Sequence, residues 1–121
     1  MPKNRRQIPP TPPGEILKEE FMVPMGLSAN ALANILHVPS GRITQIINAQ
    51  RAISADTALR LAKAFGTSPE FWLNLQALYE LQLVEYQGYD IDDVKPIDQS
   101  KGAAYLSKTK TEKKARVSTR A

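Results

Sequence analysis

Apolar residues recur along this chain at intervals of three and four, with almost no alternation at two, so the pattern predicts helices rather than strands. In GEILKEEFM, Ile16, Leu17 and Phe21 follow the helical spacing, with Glu20 among them. Pro13 occupies the first turn, where its missing N–H is not needed, and Glu15 complements the helix dipole. Pro24 and Gly26 are expected to end this first helix. Ser28 then caps a short second helix, SANALANIL, with Leu32, Ile35 and Leu36 on its buried side and small Ala33 among them. His37, Val38 and Pro39 interrupt the pattern before a third helix from about Ser40 to Asn48. Ser54 caps a fourth, SADTALRLAKAF, whose Ala58, Leu59, Leu61, Ala62 and Phe65 supply apolar faces and whose Gly66 stops it.

Ser68, Pro69 and Glu70 place an N-cap, an N1 proline and a first-turn acid in succession, the signature of a helix start. The fifth helix, EFWLNLQALYELQLVEY, is the longest, and it is apolar on two sides. Trp72, Leu75, Tyr79 and Leu83 form one stripe; Phe71, Leu78 and Leu81 lie on another. Such a helix has two things to bury against, here the domain core and a partner subunit. Phe71, Leu75, Leu78, Tyr79 and Leu81 are the candidates for the subunit contact in a homodimer.

Residues 1–12 form a Pro-rich basic arm, held extended by the prolines of IPPTPPG up to the start of the first helix. Residues 13–86 form the helical domain. Residues 87–121 form a tail, first acidic and then lysine-rich, expected to be partly disordered.

The second and third helices carry the functional signal. Ala33, Leu36, Val38, Ile43 and Ile46 converge beneath a tight turn, the packing of a helix-turn-helix, and Ala33 is small because the neighbouring helix crosses close to it. Left outward on the second member are Ser40, Gly41, Arg42, Thr44, Gln45 and Asn48, with Arg51 just beyond. These side chains suit the major groove of double-stranded DNA. Arg42 and Arg51 match a guanine edge, Gln45 and Asn48 an adenine edge, and Thr44 a base edge or a thymine methyl. Gly41 permits close approach, and the amino ends of both helices, including Ser28, offer N–H groups to phosphate. Ile47 fits neither the buried nor the outward set.

Composition narrows the class. At 121 residues the chain holds one modest domain with tails. It has no cysteine, which excludes disulfides and Cys-based zinc or thiol chemistry and fits a reducing cytoplasm. Neither a signal peptide nor a membrane span is expected. The net charge of +4 is unevenly spread: +3 over residues 1–6 and +5 over residues 98–121, leaving −4 between them. Residues 37–51 contain no acid, so a polyanion is tolerated there.

Catalysis finds no support. His37 is the single histidine and has neither a second imidazole nor a nearby acid. Glu19 with Glu20, and Asp92 with Asp93, are sequence neighbours that point apart, unlike an acid/base pair. No catalytic, metal or cofactor site is expected, and the chain is not read as an enzyme.

The run VPSGRITQIINAQRAISADTALRLAKAFGTSPEFWLNLQALYEL resembles the Cro and lambda-repressor type of five-helix DNA-binding domain, and within it the HigA-type antitoxins of bacterial toxin–antitoxin modules. PPGEILKEEF is also similar to that family, and the likeness spans roughly residues 9–83. It departs from the family at His37, where the turn prefers glycine, and at Pro12, where a histidine is frequent. The resemblance implies an all-α fold and a homodimer that represses its own operon at a palindromic operator. It also implies neutralisation of a partner toxin, a basic ribonuclease that cuts messenger RNA. The DNA-facing positions it implies are Ser28, Ser40, Gly41, Arg42, Thr44, Gln45 and Asn48. Tyr86 and Tyr89 beside Asp90, Asp92 and Asp93 are a candidate surface for the basic toxin. A stand-alone repressor without a toxin, and a helical protein-interaction module, are the alternatives.

Overall fold

A computed structural model of the chain describes residues 5–98, within which Tyr89 and Asp90 mark the boundary between two units. Lys3 of the basic arm and the lysine-rich stretch from Lys101 lie outside the described residues. The first unit is all-helical. Its α1 is a continuous run of three pieces, Pro13–Ile16, Leu17–Met22 and Val23–Met25, followed by α2 (Ala29–Leu36), α3 (Ser40–Ile47), α4 (Ala55–Phe65) and α5 (Pro69–Gln87). Among the described residues, no helix is long and apolar enough to cross a membrane.

The middle piece of α1 is wound as a π-helix, and the N–H of Val23 donates to the carbonyl of Lys18, five residues back. This wider turn stands directly before Pro24, which has no N–H to give and whose ring would crowd the carbonyl four residues earlier in a regular α-helix. Pro24 therefore lies inside α1 instead of ending it, contrary to the sequence expectation. Gly26, left-handed at φ 64°, makes the stop, and the N–H of Leu27 returns to the carbonyl of Met22 at 2.9 Å.

The core is drawn from every helix. Leu17, Leu32, Ile43, Ala58, Leu61 and Trp72 have no exposed surface, and Ile46, Ala33 and Ile53 are nearly as deep. Each fully buried aliphatic side chain contributes about 1.5–3 kcal/mol of transfer free energy. Above them lies an aromatic cluster: the rings of Phe21 and Trp72 are 4.9 Å apart, Phe21 and Phe65 5.0 Å, and Phe71 meets the edge of Trp72 at 5.0 Å and 80°.

Two apolar residues assigned to the interior are on the surface: Ile35 is 51% exposed and Leu59 60%. The inward faces are narrow. On α2 it is Leu32, Ala33 and Leu36; on α4 it is Thr57, Ala58, Leu61 and Ala62. Ile35 and Leu59 fall one helical step outside those faces.

The close approach of α1 to α3 depends on Gly14. It is buried, and a Cβ built on it would stand 1.8 Å from the carbonyl oxygen of Ile46. No side chain fits there. The same contact settles Ile47, whose backbone lies under the start of α1 and whose side chain is half-buried against the core.

On α5 the two apolar stripes separate. Trp72 is buried and Leu75, Tyr79 and Leu83 are half-buried, whereas Phe71, Leu78 and Leu81 are 37%, 50% and 57% exposed. Val84, at 51%, continues the outward stripe. Of the residues proposed for a subunit contact, Leu75 also packs on the core of its own domain.

Candidate nucleic-acid interface

The helix-turn-helix is α2, the turn through His37 to Pro39, and α3. His37 adopts the left-handed conformation at φ 58°, ψ 47°, so the turn takes the geometry that glycine would supply, on a residue that tolerates it. The N–H groups of His37 and Val38 return to the carbonyls of Asn34 and Ala33, which closes α2 tightly. Ile43 and Ile46 then face inward and anchor α3, leaving Ser40, Gly41, Thr44, Gln45 and Asn48 exposed on the other side. Arg51 is exposed just beyond, after a second left-handed residue, Ala49, at φ 59°.

The start of α3 differs from its neighbours. At α2, α4 and α5 a serine caps the helix: Ser28, Ser54 and Ser68 each accept an N–H through the side-chain oxygen. At α3 the capping position is Pro39, whose side chain has no acceptor to offer. The amino end of α3 thus faces outward without a side-chain cap, the condition under which a helix start receives an anion.

Several outward groups already have partners within the domain. Thr44 Oγ1 donates to the carbonyl of Ser40 at 3.2 Å, and Arg51 Nη1 donates to Gln45 Oε1 at 3.1 Å. The second bond couples two candidate base readers into one unit. Arg42 is the most enclosed of the set. Its side chain is 25% exposed, Nη1 pairs with Asp56 Oδ2 at 3.0 Å, and its buried Nε has no hydrogen-bond partner.

Asp56 and Arg60 went unnoticed in the sequence. Residues 37–51 contain no acid, yet in space Asp56, from the first turn of α4, stands against Arg42. Arg60 Nε reaches the same Asp56 oxygen at 3.0 Å, and Arg60 Nη1 donates to the carbonyl of Leu36 at 2.8 Å. The hydrogen bond from Arg60 is the largest influence on the Asp56 carboxyl; with Arg42 it holds that group below the usual carboxylate range, against an opposing pull from desolvation. The Asp56–Arg60 spacing of four residues is legible as a helical ion pair, but the reach to Arg42 is not. Gln76 was missed as well: its Oε1 accepts from the N–H of Ile53 at 2.9 Å and fixes the segment between α3 and α4 on α5.

The basic arm has a structural use. Arg5 Nε donates to the carbonyl of Tyr86 at 3.1 Å, and the N–H of Arg6 donates to that of Glu85. These are carbonyls in the last turn of α5, where positive charge is favourable.

Comparison with known proteins places this architecture in a family. A helix-turn-helix family model matches residues 17–72. Virulence-associated protein I of Dichelobacter nodosus is 46% identical over 97 residues, covering 80% of this chain and 90% of its own. Among solved structures, an addiction module antidote protein of the HigA family from Coxiella burnetii is 55% identical with a TM-score of 0.61, over 64% of this chain and 84% of its own. The Pseudomonas aeruginosa antitoxin HigA, solved with the higBA promoter, is 47% identical with a TM-score of 0.59, over 60% of this chain and 78% of its own. With a helix-turn-helix in the expected place and likeness at this level over most of those chains, the protein belongs to the HigA-type antitoxins of the Cro and lambda-repressor class.

Proposed function

We infer that the protein is an antitoxin that represses its own operon as a dimer, reading a palindromic operator with α3 and neutralising a basic, messenger-RNA-cleaving toxin. The observation that carries the DNA-reading part is the outward face of α3: hydrogen-bonding side chains at Ser40, Thr44, Gln45 and Asn48, with an amino end that lacks a side-chain cap. The relative solved with promoter DNA supports it. In this reading Ser28, Ser40 and Gly41 approach phosphates, and Thr44, Gln45, Asn48 and Arg51 meet base edges. Arg42 joins them by exchanging its single bond to Asp56 for the two acceptors of a guanine.

The exposed stripe of Phe71, Leu78 and Leu81 on α5 supports pairing of two copies. In such a dimer the two α3 helices enter successive major grooves about 34–36 Å apart. For the toxin, support comes from the acidic middle of the chain and from Asp90, Asp92 and Asp93 just after α5.

A mobility-shift assay with the DNA upstream of the gene tests the first part. Wild type is expected to shift it in preference to random duplex, and Gln45→Ala to lose about 1–3 kcal/mol on that DNA alone. Equal affinity of wild type for both duplexes would sink DNA reading. Co-expression with the product of an adjacent small basic reading frame tests the second part, with growth rescue expected and persistent toxicity counting against it.

A further inference from the structure

Asp56 makes no contact in the proposed complex with DNA, yet it sits where α2, α3 and α4 meet. Its Oδ2 accepts from Arg42 of α3 and Arg60 of α4, each at 3.0 Å, and Arg60 also holds the carbonyl of Leu36 at the end of α2. We propose that Asp56 is a positioning residue that sets sequence specificity by withholding the Arg42 and Arg60 guanidinium groups from indiscriminate phosphate contact. This rests on α3 being the DNA-reading helix.

The reasoning is one of exchange. An arginine free in solvent adds to the attraction of any duplex, because phosphates are everywhere and each one neutralised releases counterions. Arg42 is not free in that sense: its side chain is 25% exposed and one donor is committed to Asp56. A phosphate met in passing offers it one anion in place of another. At a matched site the outcome differs, because neighbouring contacts from Gln45 and Asn48 hold α3 at a fixed depth. A guanine there presents O6 and N7 together, two acceptors for the fork of a guanidinium that Asp56 engages through Nη1 alone. Only the matched site then repays the loss of Asp56. Arg60, held by both Asp56 and Leu36, stays on the protein throughout.

The test uses the full chain and two duplexes of equal length, one enriched by the wild-type protein from a random pool and one of scrambled sequence. Affinities for both are measured over a series of salt concentrations. Asp56→Asn is expected to bind the scrambled duplex about tenfold more tightly, with a salt slope steeper by about 0.9 for each guanidinium released. The ratio of selected to scrambled affinity is expected to fall about tenfold or more. A merely structural role would weaken both duplexes in parallel and leave the slope unchanged; that result, or no gain on scrambled DNA, overturns the proposal. Should Asp56→Asn fail to fold, as judged by its thermal melt, Arg42→Gln decides. It is expected to lose at least tenfold on the selected duplex and almost nothing on the scrambled one, and equal losses overturn the idea. A wild-type protein that holds all duplexes alike removes the DNA-reading function itself, whereas discrimination by wild type with parallel shifts in Asp56→Asn removes only the role of Asp56.

Discussion

The indole Nε1 of Trp72 donates to the hydroxyl of half-buried Thr67 at 2.7 Å, a bond at the edge of the core from a residue that has no exposed surface itself. Most of the string TSPEFW is thereby explained. Thr67 satisfies the buried indole, Ser68 caps α5 by accepting the N–H of Phe71 at 3.1 Å, Pro69 takes the first turn, and Phe71 meets the edge of the Trp72 ring. Thr67→Val keeps the shape and removes the acceptor. It is expected to cost about 1–3 kcal/mol in a denaturant melt, the penalty of a buried donor left unpaired. A loss no larger than that of an exposed control such as Thr11→Val would show that the indole finds another partner.

Gly14→Ala is expected to be more damaging than its size suggests. The added methyl would stand 1.8 Å from a backbone oxygen of α3, so a helix and not a side chain has to move. A destabilisation of about 3 kcal/mol or more is expected. Since the strain falls on the last turn of α3, residual folded protein should also bind DNA more weakly; unchanged stability by thermal melt would mean that α1 is free to shift.

Ala49 presents the opposite case. It is exposed and held at φ 59°, a conformation that an L residue with a Cβ adopts at a cost. Ala49→Gly is expected to stabilise the domain by about 0.5–1 kcal/mol, after the greater entropy of glycine in the unfolded chain is set against the relieved strain. A lower melting temperature for the variant contradicts this.

Acid should loosen the cluster around Asp56. Its carboxyl lies below the usual carboxylate range when folded, so the stabilisation is complete above the unfolded value of about 3.9 and is lost as pH falls through the folded one. Melting temperature followed downward from pH 6 should therefore drop more steeply below about pH 4 in wild type than in Asp56→Asn. Parallel curves would mean that Arg42 and Arg60 do not hold the carboxylate in solution.

The order and bounds of the helices were legible because caps and spacing agreed: Ser28, Ser54 and Ser68 each do what their positions suggest, and α5 ends one residue beyond the expected Tyr86. Pro24 misled because a π-turn absorbs it, a remedy that leaves no mark in a one-dimensional pattern. Ile35 and Leu59 misled because hydrophobicity does not say how wide a buried face is in so small a core. The outward set on α3 emerged from spacing, since Ile43 and Ile46 determine which side faces out. The contacts that tie that set down, Asp56 to Arg42 and Gly14 to Ile46, cross from one helix to another, and the periodicity within a helix does not encode them.

Arg5 and Arg6, resting on the carbonyls of Tyr86 and Glu85, bring the entrance and the exit of the helical unit side by side. The arm that leads into α1 is thus clasped to the last turn of α5, and it ends at Gly14, the residue pressed against the last turn of α3.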